Sequence, residues 1–352
     1  MKRKVFFRLG AFVIAMFIVA GAVYSSIYIG KRIQARTLAA STTSARGSCT
    51  MEVTTGRILY EKNGTEPMPM ASTTKILTAI TVLENCDDID TPIEVDPRCI
   101  GIEGTSIYLQ RGERLTVREL LLGMMLRSGN DASAALALYV RPTGEKTPHK
   151  EIFDEFSRLM NETAKKAGAT NSSFKNPHGL DQEGHYTTAR DLALITVYAI
   201  KNPLFAEIVA TKEAKISGIE YPRVLRNKNR LLHSMPNCIG VKTGFTKKAG
   251  RCFVGAMTDN NMTVVCVVLN CGPMFEESAT LMEMADEEFT MTPIIKKDQI
   301  IMCDDDIICG VAQEDFFYPL RNDEIIETEY IGDKVILKLD GEVIYTSNYN
   351  KV

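Results

Sequence analysis

Ser72 and Lys75 lie three positions apart in PMPMASTTKILTAITVLENC, and that spacing carries chemistry if the stretch opens a helix. Residues i and i+3 stack on one helical face, so a hydroxyl would stand beside a primary amine at the positive end of the helix. A serine hydroxyl is a weak nucleophile until a neighbouring base takes its proton. An amine serves as that base when burial or a second cation lowers its pKa. Taken alone, the pair also fits a capping serine and a solvated lysine. Two further clusters add to it. Ser128, Gly129 and Asn130 interrupt an apolar run, LTVRELLLGMMLRSGNDASAALALYV, and would project a hydroxyl and a carboxamide from the break. Lys242, Thr243 and Gly244 fall in CIGVKTGFTKKAG, where the glycine lets another backbone or a ligand approach closely. This is not a phosphate loop, because Val241 stands where a glycine should precede the lysine.

The elements that must position these groups are legible. Residues 49–60 (CTMEVTTGRILY) predict two short strands about a Thr-Thr-Gly turn. Pro67 and Pro69 close a loop, Ser72, Thr73 and Thr74 suit a helix start, and Ile76, Leu77, Ile80 and Leu83 share one helical face. The Ser128 break predicts helix, turn, helix. The segment from Cys238 to Asn270 predicts strands, with a turn at Asp259-Asn260-Asn261. Beyond residue 290, short apolar runs between charged turns predict a small acidic β-rich domain (291–352).

Ser72-Thr73-Thr74-Lys75, Ser128-Gly129-Asn130 and Lys242-Thr243-Gly244, in that order, resemble the three motifs of the active-site-serine penicillin-binding proteins and class A β-lactamases. TGRILYEKN, MASTTKILTA, LLLGMMLRSGNDAS, KNPHGLD, YTTARDLA and VKTGFTKKAG narrow the resemblance to the low-molecular-weight D-alanyl-D-alanine carboxypeptidases, over about residues 47–290. The resemblance implies an α+β fold, with an antiparallel sheet flanked by helices, the Lys242 strand at its edge and Ser128 in a helical lobe. It implies that Ser72 is the acylated nucleophile and Lys75 its general base. Ser128 and Asn130 would relay a proton to the leaving D-alanine and hold the peptide. Lys242 would keep Lys75 neutral and attract the substrate carboxylate, with Thr243 hydrogen-bonding nearby. The backbone N–H groups of Ser72 and Phe245, beside Gly244, would form the oxyanion hole. The implied substrates are peptidoglycan stem peptides ending in D-Ala-D-Ala, with β-lactams as inhibitors and no metal or organic cofactor. His178, in KNPHGLD, is expected to support a loop near the cleft. Some family members place an arginine after the strand that follows the third motif. Here Asn270-Cys271-Gly272-Pro273 holds none, so the resemblance does not say what completes neutralisation of the terminal carboxylate.

Two alternatives fare worse. A β-lactamase would carry a glutamate in an E-x-x-L-N segment, and none lies between 131 and 235. A membrane-tethered, non-enzymatic penicillin sensor would need a cytoplasmic partner domain or several spanning helices, and only eight residues precede the first apolar stretch, too few for a signalling domain.

Composition bounds the rest. With 352 residues, 45% hydrophobic and 24% charged, the chain has room for about two globular domains. A net charge of −3 argues against nucleic-acid binding. The charge is polarised, however. Residues 1–46 hold eight Lys or Arg and no acids, while 301–352 have a net charge of −8. Basic residues 1–8 precede an uncharged stretch, 9–30, whose length of about 33 Å as a helix suffices for a bilayer core. It is read as a transmembrane signal-anchor, with cleavage as a signal peptide the alternative, followed by a linker over 31–48 and a serine peptidase domain over 49–290. The body is then expected outside the cytoplasm, either membrane-attached or released. Nine cysteines without a C-x-x-C pair, and four histidines without H-E-x-x-H spacing, argue against zinc. The thiols are expected to be buried as small apolar groups.

Overall fold

The structure is a computed structural model that describes residues 43–350 apart from 143, 145, 146, 220, 305, 306 and 332; the apolar stretch 9–30 and most of the linker lie outside the described residues. The body opens with a hairpin of β1 (Gly47–Glu52) and β2 (Ile58–Lys62). Its Thr-Thr-Gly turn is held by the buried Glu52 carboxylate, which accepts from Thr54 N at 2.7 Å, Thr55 N at 2.7 Å and Thr55 Oγ1 at 2.6 Å. A 3₁₀ turn, Ala71–Thr74, runs directly into α1 (Lys75–Leu83). A small pair, β3 (Pro92–Glu94) and β4 (Arg114–Thr116), leads to α2 (Val117–Arg127), α3 (Asn130–Val140) and α4 (His149–Lys166). Next come α5 (Ala189–Ile200), α6 (Pro203–Ala210) and a two-stranded ribbon of β5 (Glu213–Ile216) and β6 (Arg223–Arg226). The short α7 (Leu231–Ser234) precedes β7 (Cys238–Thr246), β8 (Gly250–Asp259), β9 (Met262–Leu269) and α8 (Met274–Glu288).

Local chemistry explains several boundaries. Thr116 and Glu119 form a capping box at the start of α2, each bonding the other's backbone N–H. Asn202 caps α6, with Pro203 in the first helical position. Asn260 and Asn261 both adopt positive φ, 45° and 62°, as the tight β8–β9 hairpin requires.

The central sheet is antiparallel throughout, in the order β2-β1-β9-β8-β7, so β7 is an edge strand. The strands are apolar on both faces because both are covered. Cys252, Val254 and Ala256 point into the large core built with the helices before β7. Their neighbours point the other way, where Phe253 meets Phe275 of α8 edge-on at 5.0 Å. The helical lobe with the Ser128 break and the edge position of the Lys242 strand match the fold the sequence implied.

After α8 the chain forms a separate β layer. It comprises β10 (Thr290–Ile295), β11 (Ile300–Asp304), β12 (Ile307–Ala312), β13 (Phe316–Leu320), β14 (Ile326–Ile331), β15 (Lys334–Leu339) and β16 (Glu342–Asn350). β10 pairs with β13, and the others form a sheet in the order β11-β12-β16-β15-β14 around its own small core of Ile295, Ile301, Val335, Leu337 and Tyr349. Its link to the main sheet is ionic and aromatic. Arg57, just before β2, makes a buried bidentate pair with Glu324 at 2.5 and 2.8 Å, donates to Pro319 O, and lies 5.1 Å from the ring centres of Phe289 and Tyr318.

Candidate active site

The 3₁₀ turn places Ser72 at the floor of an open cleft of about 610 Å³. Lys75 Nζ donates to Ser72 Oγ at 3.1 Å, to Asn130 Oδ1 at 2.7 Å and to the carbonyl of His178 at 2.6 Å. Thus the i,i+3 pairing expected from sequence forms, and Asn130 at the start of α3 reaches the same amine. Asn130 Nδ2 in turn donates to Glu103 O at 2.6 Å, which fixes the carboxamide's orientation. Ser128 ends α2 in the left-handed conformation, φ 67°, and its side chain lines the cleft.

β7 supplies the facing wall. Thr243, Gly244 and Phe245 line the cleft, whereas Lys242 is buried behind it, donating to the carbonyl of Thr243 at 2.9 Å. Gly244 has a clear steric reason. A Cβ there would stand 3.0 Å from Met70 O, Ser72 N and Thr73 N, so only glycine lets β7 press against the nucleophile's turn. This contact sets the amide of Ser72 next to the residue preceding Phe245, the arrangement an oxyanion hole requires.

The two buried lysines set the electrostatics. Burial holds Lys75 well below its ordinary pKa, and Lys242 and Lys228 lower it further by repulsion, against a smaller raising effect of Asp131. Burial, with help from Lys228, pushes Lys242 down to about 7. Lys75 therefore gives up its proton far more readily than an ordinary lysine, a property suited to a base beside a hydroxyl.

A second layer holds this arrangement. Asp131 is buried and accepts from Ser106 Oγ at 2.5 Å, Ile107 N at 3.1 Å and Leu109 N at 3.1 Å, pinning the 105–109 loop over α3. Gly179, at φ +86°, packs so tightly that a Cβ would sit 2.0 Å from Ala71 O. His185 Nδ1 accepts from Lys175 N at 3.0 Å, which leaves Nε2–H to face Thr74 Oγ1 at 3.0 Å; Thr74 Oγ1 then donates to Ala71 O at 2.8 Å. Burial pushes His185 down to about 4 and His178 to about 3, so both rings stay neutral.

Several groups escaped the sequence reading. His178 enters the site through its backbone carbonyl, not its ring. Lys228, Arg230 and Arg251 line the cleft, and they supply the positive charge that the arginine-free segment 270–273 lacks. Arg251 lies on β8 directly opposite Phe245, and Arg230 stands 5.9 Å from the Phe275 ring centre. No group of three or more potential metal-ligating side chains occurs among the described residues. The buried thiols of Cys252 and Cys266 are pushed up to about 11 by burial, so they stay protonated and inert.

This serine–amine pair, in a cleft between an antiparallel sheet and a helical lobe, is the arrangement that the three sequence motifs implied. A family profile for D-alanyl-D-alanine carboxypeptidases matches residues 34–272, and the chain belongs to that family. It is 33% identical to a D-alanyl-D-alanine carboxypeptidase of Bacillus subtilis (strain 168), over 73% of this chain and 66% of that one. It is 35% identical to one from Escherichia coli (strain K12), over 74% of this chain and again 66% of the relative. The matches thus span just under two thirds of these relatives' length. Among solved structures, the D,D-transpeptidase of Streptomyces K15 is 33% identical over 69% of this chain and 96% of its own, with a TM-score of 0.63. A D-alanyl-D-alanine carboxypeptidase from Francisella tularensis, 23% identical, shares the fold at a TM-score of 0.69 over 88% of this chain and 94% of its own.

Proposed function

We propose that the protein is a serine-type D-Ala-D-Ala carboxypeptidase that removes the terminal D-alanine from peptidoglycan stem pentapeptides, and that penicillin acylates the same serine. The observation that carries this reading is the buried Lys75, hydrogen-bonded to Ser72 Oγ, with its pKa lowered by burial and by a second buried lysine. Lys75 takes the Ser72 proton as Oγ attacks the carbonyl carbon of the penultimate D-alanine. The N–H groups of Ser72 and Phe245 hold the oxyanion, each such donor contributing about 3 kcal/mol in acyl transfer. Ser128 passes the proton to the departing amine, and D-alanine leaves. Water then attacks the acyl-serine with Lys75 again as base. Asn130 positions Lys75 through its carboxamide oxygen. Lys228, Arg230 and Arg251 draw the substrate carboxylate toward Thr243.

A β-lactamase is disfavoured, since among the described residues no carboxylate is bonded to Ser72 or Lys75 to activate the deacylating water. We also propose a peptidase domain over 49–290, a C-terminal β domain over 291–352, and an extracytoplasmic body attached through residues 9–30. No single helix among the described residues is long and apolar enough to cross a membrane. The deciding experiment is intact-protein mass spectrometry with a pentapeptide ending in D-Ala-D-Ala, then with penicillin. Released D-alanine and a single acyl adduct on the Ser72 peptide are expected. An adduct on Ser128 or a cysteine would overturn the assignment.

A further inference from the structure

The Ser72 cleft abuts a second cavity of about 640 Å³. Three chain segments cross directly from one to the other: Thr105 lines the cleft and Ser106 the second cavity, and the same holds for Ser128 and Arg127, and for Asn227 and Arg226. The segments are tied together where they cross. Lys228 N donates to Leu126 O at 3.1 Å, and Asn130 N to Thr105 O at 2.7 Å. The second cavity therefore flanks the cleft, separated from it by the loop, helix end and ribbon that they share as a wall.

Its chemistry differs from that of the cleft floor. Tyr108 presents a ring that is 79% exposed, beside the exposed Val224. Arg223 is paired with Glu113 at 2.7 Å, and Arg226 with Glu213 at 2.8 Å. Arg127 is different: its Nη1 donates to the carbonyl of Arg226 at 3.1 Å, and among the described residues no carboxylate neutralises it. The groove thus combines an apolar platform with one half-buried guanidinium that lacks a counter-ion. Such a fork is suited to a carboxylate.

We propose that this groove receives the part of the stem peptide N-terminal to D-Ala-D-Ala, with an upstream carboxylate of that peptide on Arg127. The inference rests on the carboxypeptidase reading and deepens it. An extended chain advances about 3.3 Å per residue, so three residues upstream of the scissile pair reach about 10 Å beyond it and must leave the cleft floor. The second cavity begins one residue from the cleft lining, at Arg127 beside Ser128, well within that reach.

The test uses the full chain and two pentapeptides that end in D-Ala-D-Ala and differ only in glutamate or glutamine at the second position. Wild-type protein should favour the glutamate peptide by roughly tenfold in kcat/KM, and the advantage should shrink as salt rises. In Arg127→Gln the ratio should fall close to one, and in Arg127→Lys it should recover in part. Penicillin acylation of each variant reports separately on the Ser72 machinery. Equal rates for both peptides with wild-type protein, or undiminished discrimination by a penicillin-reactive Arg127→Gln protein, would overturn the groove assignment while leaving the carboxypeptidase reading intact. If no peptide loses D-alanine and penicillin leaves no adduct on Ser72, the carboxypeptidase reading fails first and the groove assignment falls with it.

Discussion

Lys75 and Lys242 have the same side chain yet different duties, and arginine substitutions separate them. Lys75→Arg should abolish acylation, because a guanidinium does not give up its proton at useful pH. Lys242→Arg keeps a cation and should lose far less; equal losses in stopped-flow penicillin binding would sink the base assignment. The pH profile follows from the same pair. Lys75 must be neutral, so kcat/KM rises as pH climbs through its lowered pKa. Lys242 loses its charge as pH rises through about 7, so a falling limb is expected near there, and Lys242→Arg should move that limb upward. Stability responds in its own way. The folded pKa of Lys242 is depressed to about 7 from 10.5, so the unfolded chain binds more protons between those values and stability rises with pH across that window. Lys242→Met should therefore raise Tm at pH 7 by several degrees while destroying activity. The triplets at 72, 128 and 242 were legible in the sequence because each is a local pattern with a chemical rationale. Lys228, Arg230 and Arg251 were not. Each sits among ordinary surface-type residues, and only the antiparallel pairing of β7 with β8 and the turn before α7 bring them to Ser72. The carbonyl of His178 was hidden for a different reason, since a backbone acceptor leaves no mark on residue type.

The elements act through contact rather than chemistry. Gly244→Ala would force β7 away from the 3₁₀ turn by some tenths of an ångström against three backbone atoms. A displacement of about 1 Å near reacting groups costs on the order of 100-fold, so this smaller shift should lower the acylation rate by roughly 3- to 10-fold with little change in circular dichroism. An unchanged rate would show that the strand yields without disturbing the oxyanion hole. Asp131→Asn should unpin the 105–109 loop, at a cost of about 1–3 kcal/mol in urea unfolding, because Asn130 N then loses a fixed partner in Thr105 O. The helix break at Ser128 could be read from the sequence. The reach of Asp131 to the 105–109 loop could not, because an aspartate after a helix start is ordinary there.

At the scale of the whole molecule, Arg57 ties the main sheet to the C-terminal layer. Breaking a buried ion pair from one side leaves the other charge stranded, so Arg57→Ala should cost about 3 kcal/mol through Glu324. Limited proteolysis should then cut near residue 290, while penicillin acylation at Ser72 continues; loss of acylation would mean that the layer supports the cleft directly. The β-rich character of residues 291–352 was legible from short apolar runs, but its docking through Arg57, set between two rings, was not, since Arg57 sits in a turn that any polar residue would suit. The order of strands in the main sheet has a further consequence. β1 is an interior strand, between β2 and the central β9, with Gly47 opposite Leu269. The first of the described strands therefore waits for nearly the last part of the peptidase region before it gains its inner neighbour. Helices α1 to α6 can form locally meanwhile, but the layer they pack on is incomplete, and pairings of such high contact order close slowly. A nascent chain held open in this way remains threadable, the state in which a polypeptide can be drawn through a narrow translocation pore before it locks.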